Sequence, residues 1–263
     1  MMDNYLFIVE GPHDIAALSK YLKLNEYQMI RYDDQVPSFW KDLIPNSFPY
    51  KGDLLKRVPV PTFFKSDSKT IAIYSAGGDS EIVSAVNNTL FILKDAGLKA
   101  LKAVGVFCDA DDKPAIDRYE RLMSLFEKEL EDELKPIIEN HLFGKVSQSQ
   151  DYKFGVYIFP DNANIGVLED LLLDGAKTSY PEIMNHAQTY LSSIESEKLP
   201  YIKSRNMKAS NRKKMMIGII ANVLKPGKAN QVSIEDNDWI SQNSLENSLI
   251  QKRFKTFLDE LLK

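Results

Sequence analysis

Asp109 and Asp111 stand two residues apart where an apolar run, Val104-Gly105-Val106-Phe107-Cys108, gives way to Asp109-Ala110-Asp111-Asp112. Short apolar runs bounded by turn residues suit a strand buried on both faces of a parallel sheet. Ligands of such sheets bind beyond the carboxyl ends of the strands. An extended backbone aims residues two apart to the same side, so both carboxylates face one place. Neighbouring carboxylates repel each other, and a divalent cation holds them together. The chemistry predicted for this stretch is a metal platform. Acids after strands also cap helices, and Asp112 ahead of Lys113-Pro114 is placed for that role.

Acids elsewhere must decide between the two readings. Tyr5-Leu6-Phe7-Ile8-Val9 reads as a second buried strand ending on Glu10, with Gly11-Pro12 making the turn into a helix. A carboxylate finishing an apolar strand needs a partner, because an unpaired buried charge is costly. Asp14 falls in the first turn of that helix, where it serves either the helix dipole or a metal. His13 reads as a helix-start residue with no relay partner. Thr70-Ile71-Ala72-Ile73-Tyr74 is a third strand, and Gly77-Gly78 after it permits a tight turn and close backbone approach. Phe154 to Phe159 is a fourth. Asp161 and Asn164 in the turn that follows read as turn and cap residues, whereas Glu169 and Asp170 open a helix at the same predicted edge.

These elements alternate strand and helix from residue 5 to about 173, which predicts an α/β fold: a mostly parallel, Rossmann-like sheet flanked by helices with right-handed crossovers. Helical spacing runs from Ser80 to Ala96, from Pro114 to about Asn140, from Arg212 to Leu224 with Ser210-Asn211 as its cap, and from Gln251 to Lys263. Phe254, Phe257, Leu258 and Leu261 face inward on the last of these. Residues 31–69 lack steady periodicity and carry Pro37, Pro45, Pro49, Pro59 and Pro61, so they read as an irregular insertion. Its aromatics, Phe39, Trp40, Phe48, Tyr50, Phe63 and Phe64, pack it onto the body. The division expected is residues 1–175 as the sheet domain and 176–263 as a helical region.

That region holds a local concentration of positive charge. Lys198, Lys203, Arg205, Lys208, Arg212, Lys213, Lys214, Lys225 and Lys228 follow one another with no Asp or Glu between them. In a chain of net charge -4, such a stretch suits a phosphate backbone, and Lys203, Arg205, Lys208, Arg212, Lys213 and Lys214 are its nucleic-acid-binding candidates. The run Glu127-Lys128-Glu129-Leu130-Glu131-Asp132-Glu133 reads instead as a solvated helix face.

At 263 residues, 44% hydrophobic and 27% charged, the chain has the composition of an ordinary globular protein. Its single cysteine excludes an internal disulfide, and with three histidines it excludes a zinc cluster of the usual spacing. No leader or long apolar segment is apparent, so a cytoplasmic, non-membrane protein is expected.

The combination resembles the Toprim domain of topoisomerases, primases and several nucleases. It is carried by Ile8-Val9-Glu10-Gly11 and Asp109-Ala110-Asp111. The wider set adds Pro12-His13-Asp14, Gly77-Gly78, Phe159-Pro160-Asp161-Asn162 and Gly166-Val167-Leu168-Glu169-Asp170. It is most similar to stand-alone Toprim-like proteins related to the overcoming-lysogenization-defect (OLD) nucleases.

The resemblance implies a Toprim-like catalytic domain and Mg²⁺- or Mn²⁺-dependent phosphodiester chemistry on DNA or RNA, with two ions. It places Glu10 in catalysis and Glu10, Asp14, Asp109, Asp111 and Glu169 at the metal. Lys213 or Lys214 is the assisting lysine. No Gly-x-x-x-x-Gly-Lys-Ser/Thr is present, so a separately encoded ATPase or sensor partner is implied, and phage defence is the role such relatives suggest. A chain this short does not make a strand-passing topoisomerase, so hydrolysis is the expected reaction. Two alternatives stand beside it: a non-catalytic Toprim-fold module that binds nucleic acid or a nucleotide, and a receiver-like phosphotransfer fold. Receivers place an acidic pair after the first strand, where this chain has only Glu10.

Overall fold

The computed structural model describes residues 2–45, 60–149, 151–197 and 209–263. The chain runs β1 (Asp3–Val9), α1 (Pro12–Leu24), β2 (Gln28–Ile30), β3 (Thr62–Lys65), β4 (Lys69–Ser75), α2 (Ile82–Gly97), β5 (Leu101–Asp109), α3 (Ala115–Glu129), β6 (Val146–Gln148) and β7 (Lys153–Phe159). Helices complete it: α4 (Leu168–Ser179), α5 (Pro181–Glu197), α6 (Ala209–Leu224), α7 (Asn230–Asp236), α8 (Gln242–Asn247) and α9 (Leu249–Leu262).

The strands form one seven-stranded sheet in the order β2-β3-β4-β1-β5-β7-β6. β4, β1, β5 and β7 are parallel, whereas β2, β3 and β6 are antiparallel additions at the two sides. This is the α/β architecture expected. The four central strands are apolar on both faces because helices cover both. Along β1, Tyr5, Phe7 and Val9 enter one core, and Leu6 and Ile8 enter the other. All four parallel strands end at one edge, and the turns leaving them bring distant acids together.

Differences from expectation have local causes. α3 stops at Glu129 and is not continued to Asn140. Leu130 is extended and buried, and Pro136, which has no N–H to donate, opens only a short 3-10 turn at Lys135–Ile137. Ser210 and Asn211 lie inside α6, not before it. The 31–69 segment is less irregular than expected, since β3 joins the sheet and two 3-10 turns, Asp33–Gln35 and Ser38–Leu43, precede it. Trp40 is fully buried there and donates from Nε1 to Thr70 Oγ1 at 2.8 Å. Phe48, Tyr50, Pro49 and Pro59 lie outside the described residues. Among the described residues no helix is long and apolar enough to cross a membrane.

The expected boundary near residue 175 does not separate two cores. Phe254, Phe257, Leu258 and Leu261 of α9 pack in the same cluster as Phe7, Phe107 and Tyr157 of the sheet. Room for α9 comes from Gly105 and Gly155: a Cβ on them would stand 2.5 Å from Leu261 Cδ2 and 2.7 Å from Phe257 Cζ. Gln251 completes the attachment, donating from Nε2 to the carbonyls of Leu171 at 3.0 Å and Trp239 at 2.8 Å.

The same junction makes Gly175 of α4 intolerant of a side chain. A Cβ there would lie 2.0 Å from the Trp239 carbonyl oxygen and 2.2 Å from Gln251 Nε2. Gly175→Ala is expected to lower stability by about 2–3 kcal/mol, measured by urea unfolding, because backbone must move to admit it.

Candidate functional site

Beyond the ends of β1, β4 and β5 lies a cleft of about 400 Å³. Its acids are Glu10, Asp14, Asp109 and Glu169, and Lys214 is the cation on its wall. His13, Gly77 and Gly78 complete the polar lining. Each member is set by a local device. Asp14 sits three residues into α1 and accepts the Gly11 N–H at 2.7 Å through Oδ2, which fixes the helix start. Asp109 ends β5 and accepts the Leu168 N–H at 2.8 Å, tying that strand to the start of α4. Glu169, buried, is the next residue of the same helix. Gly77 and Gly78 take φ of +88° and +141°. Both donate their N–H to the Glu10 carbonyl at 3.1 Å, which draws the β4 turn under the β1 turn.

The acids disturb one another. Burial, then the charges of Asp14 and Glu10, push the Asp109 carboxyl up to about 9 despite the opposing Leu168 N–H. Burial pushes Asp14 up to about 7; the Gly11 N–H opposes that, and Glu10 and Glu169 add to it. Glu10 is raised first by burial and then by Asp111, while Arg118, the Asp109 N–H and Lys214 pull it down. Burial lowers His13, with Glu169 opposing and Lys214 reinforcing. Such mutual perturbation in a cleft is a mark of functional sites.

The predicted residues divide. Glu10, Asp14, Asp109, Glu169 and Lys214 come together. Asp111 does not follow Asp109 along an extended chain: it takes φ +58°, its N–H bonds the Gly166 carbonyl at 2.8 Å, and its side chain is exposed. It stays outside the cleft lining, yet its charge reaches Glu10. Lys213 is bound to Asp170 at 2.7 Å, and Asp170 also accepts the Val167 N–H at 2.9 Å. Of the two lysines, Lys214 is the one on the cleft. Arg212 turns to Glu195 at 2.6 Å. Lys203, Arg205 and Lys208 lie outside the described residues. Asp161 is structural, buried and accepting from Arg253 at 2.7 Å and from the Asn164 N–H at 2.9 Å.

Sequence reasoning did not mark Arg118, and it gave His13 a helix-start role, which its place in the first turn of α1 bears out, without foreseeing that it also lines the cleft. His13 shares the β1 turn with Glu10, and that sharing was the available signal. Arg118, buried on α3, is ion-paired to Asp79 beside the double glycine and acts on Glu10. No motif around it marks it.

The sequence profile of DUF3226, described as a protein of unknown function, matches residues 4–263. The chain belongs to the DUF3226 family. A search of curated proteins finds no match to it. Among solved structures, this DUF3226 chain is similar to hypothetical protein PH0156 from Pyrococcus horikoshii OT3, with 17% identity and a TM-score of 0.58 over 99% of this chain and 96% of that one. At that identity the likeness concerns the fold.

The donor set of this DUF3226 cleft is of the hard kind, carboxylate oxygens close enough to raise one another's pKa, and such donors suit a divalent cation. Among the described residues no three His, Cys, Asp or Glu side chains stand in finished ligand geometry.

The raised acids set the pH dependence of the fold without metal. Asp14 and Asp109 hold their protons more tightly folded than unfolded, so the folded state binds more protons between about pH 4 and 9. Metal-free stability is expected to be greatest at the low end of that window and to fall as pH rises through it. Asp109→Asn should flatten the fall and raise stability at pH 8 by on the order of 2 kcal/mol. Thermal unfolding in EDTA across pH reads both effects.

Proposed function

We propose that this protein is a divalent-metal-dependent nuclease that hydrolyses phosphodiester bonds of DNA or RNA, of the Toprim kind that its motifs resemble. The observation that carries this reading is the gathering of Glu10, Asp14, Asp109 and Glu169 from three separate strand ends into one cleft, whose one lysine among the described residues is Lys214. Crowded in this way, Asp14 and Asp109 hold protons, and a divalent cation that displaces those protons satisfies the same carboxylates.

In this reading Glu10, Asp14, Asp109 and Glu169 hold Mg²⁺ or Mn²⁺, and Asp111 acts on the site through its charge on Glu10. The bound ions supply the Lewis acidity that activates water and steadies the leaving oxygen. Lys214 faces the same space and offsets negative charge growing on the phosphorus-bound oxygens. The open space around Gly77 and Gly78, where an added Cβ would meet nothing within 4 Å, leaves room for a sugar-phosphate chain to approach the backbone. Lys213 serves structure, holding α6 to the start of α4 through Asp170.

The test is incubation of the purified protein with plasmid, single-stranded DNA and transfer RNA in Mg²⁺ or Mn²⁺. Cleavage is expected, falling more than about a hundredfold for Asp109→Asn or Glu10→Gln, and about a hundredfold for Lys214→Ala. Metal-dependent binding without turnover of any substrate would point instead to the non-catalytic module.

A further inference from the structure

A cavity larger than the acid cleft lies elsewhere among the described residues. It is a groove of about 910 Å³ between α9 and the β6–β7 side of the sheet. One face of α9 lines it at helical spacing: Leu249, Lys252, Arg253, Thr256 and Glu260. Lys145 and Lys153 stand on the opposite wall. At Gln148 and Lys153 the groove runs into a second cavity of about 390 Å³, which adds Lys99 and Lys102 at the amino ends of the strands.

The charge along this path is unlike that of the chain as a whole. Lys99, Lys102, Lys145 and Lys252 are exposed, and among the described residues none of them is in an ion pair. Arg253 is paired with Asp161, which is itself buried and saturated with hydrogen bonds. The acids facing the path are Glu260, Asp3 and Asp151. Lys153 is lowered by burial first and then by its neighbours Lys69 and Lys263, with Glu260 opposing, so lysines act on one another along this wall.

Position joins the two features. The turn after β7 contributes Asp161, Asn162 and Ala163 to the groove, and its far end, at Gly166, is bonded to Asp111 beside the cleft. From that turn the groove follows β7 back to Lys153, about 20 Å at roughly 3.3 Å per residue. A duplex strand advances about 3.4 Å per phosphate, so this length accommodates about six.

We propose that this groove is a second nucleic-acid-binding element, a track on which Lys145, Lys252, Lys99 and Lys102 hold the phosphate backbone of a strand whose other part occupies the acid cleft. The assignment rests on the nuclease reading for its substrate, and it differs from the basic 198–228 stretch in place and residues.

The full chain in EDTA is titrated against a labelled oligonucleotide, single-stranded and duplex, at several salt concentrations. Lys145→Ala with Lys252→Ala, and separately Lys99→Ala with Lys102→Ala, should each weaken binding about tenfold and reduce the salt slope by about 2. Hydrolysis of bis(p-nitrophenyl) phosphate in Mn²⁺, a diester too small to reach the groove, should be unchanged in both. Wild-type affinity in both variants would overturn the track and leave the nuclease reading intact if the small diester is still cleaved. Loss of binding in the variants with no diester hydrolysis by any form would keep the track and remove the nuclease. A poly-glutamate peptide that displaces the oligonucleotide more effectively than unlabelled oligonucleotide of equal charge would assign the groove to an acidic protein and overturn the proposal.

Discussion

Repulsion among buried carboxylates is the constraint on which the rest of this structure turns. Glu10, Asp14, Asp109 and Glu169 belong to three different strand-to-helix connections, and each raises or is raised by the others. Left to themselves such groups would move apart or into water. Backbone amides hold two of them in place, Asp14 through the Gly11 N–H and Asp109 through the Leu168 N–H, and the two glycine amides fix the turn that carries Glu10. The two that end on carboxyl oxygens, at Asp14 and Asp109, are of the stronger kind when those groups are ionised. Packing makes the anchors rigid.

The sheet supplies that packing from both sides. α9 crosses one face where Gly105 and Gly155 leave it space, and the aromatic cluster of Phe107, Tyr157, Phe254 and Phe257 closes over the strands that carry the acids. The other face is filled by α2, α3 and the segment around Trp40. Elements after residue 175 are thus part of the support of a site whose acids all precede it. Lys214, on α6, is that region's own contribution to the cleft.

The parallel strands were legible because full burial writes itself as unbroken apolar runs, and their ends were legible because each run stops on an acid, a glycine pair or a proline turn. β2, β3 and β6 were not, since three or four residues at a sheet margin carry too little pattern. The direction of Asp111 was misread for a conformational reason: an alternation argument holds only while the backbone stays extended, and the chain leaves the strand before Asp111. Nor does periodicity distinguish Lys213 from Lys214, adjacent on a helix; their fates were settled by Asp170, forty-three residues away and fixed only by folding. His13 hid behind a helix-start role that its position also allows.

Two helices at the cleft begin with the same arrangement. Asp14 reaches back to the amide of Gly11, and Asp170 to that of Val167. Asp170 is ion-paired to Lys213, whereas Asp14 is buried beside Glu10 and Glu169. The first turn of α1 is consequently fastened by a group whose ionisation depends on what occupies the cleft, while the first turn of α4 is not. On the metal-dependent reading proposed above, a cation held by Asp14 shares its carboxylate with the Gly11 amide, so the tightness of that helix start becomes an internal reporter of occupancy, readable at a single backbone proton.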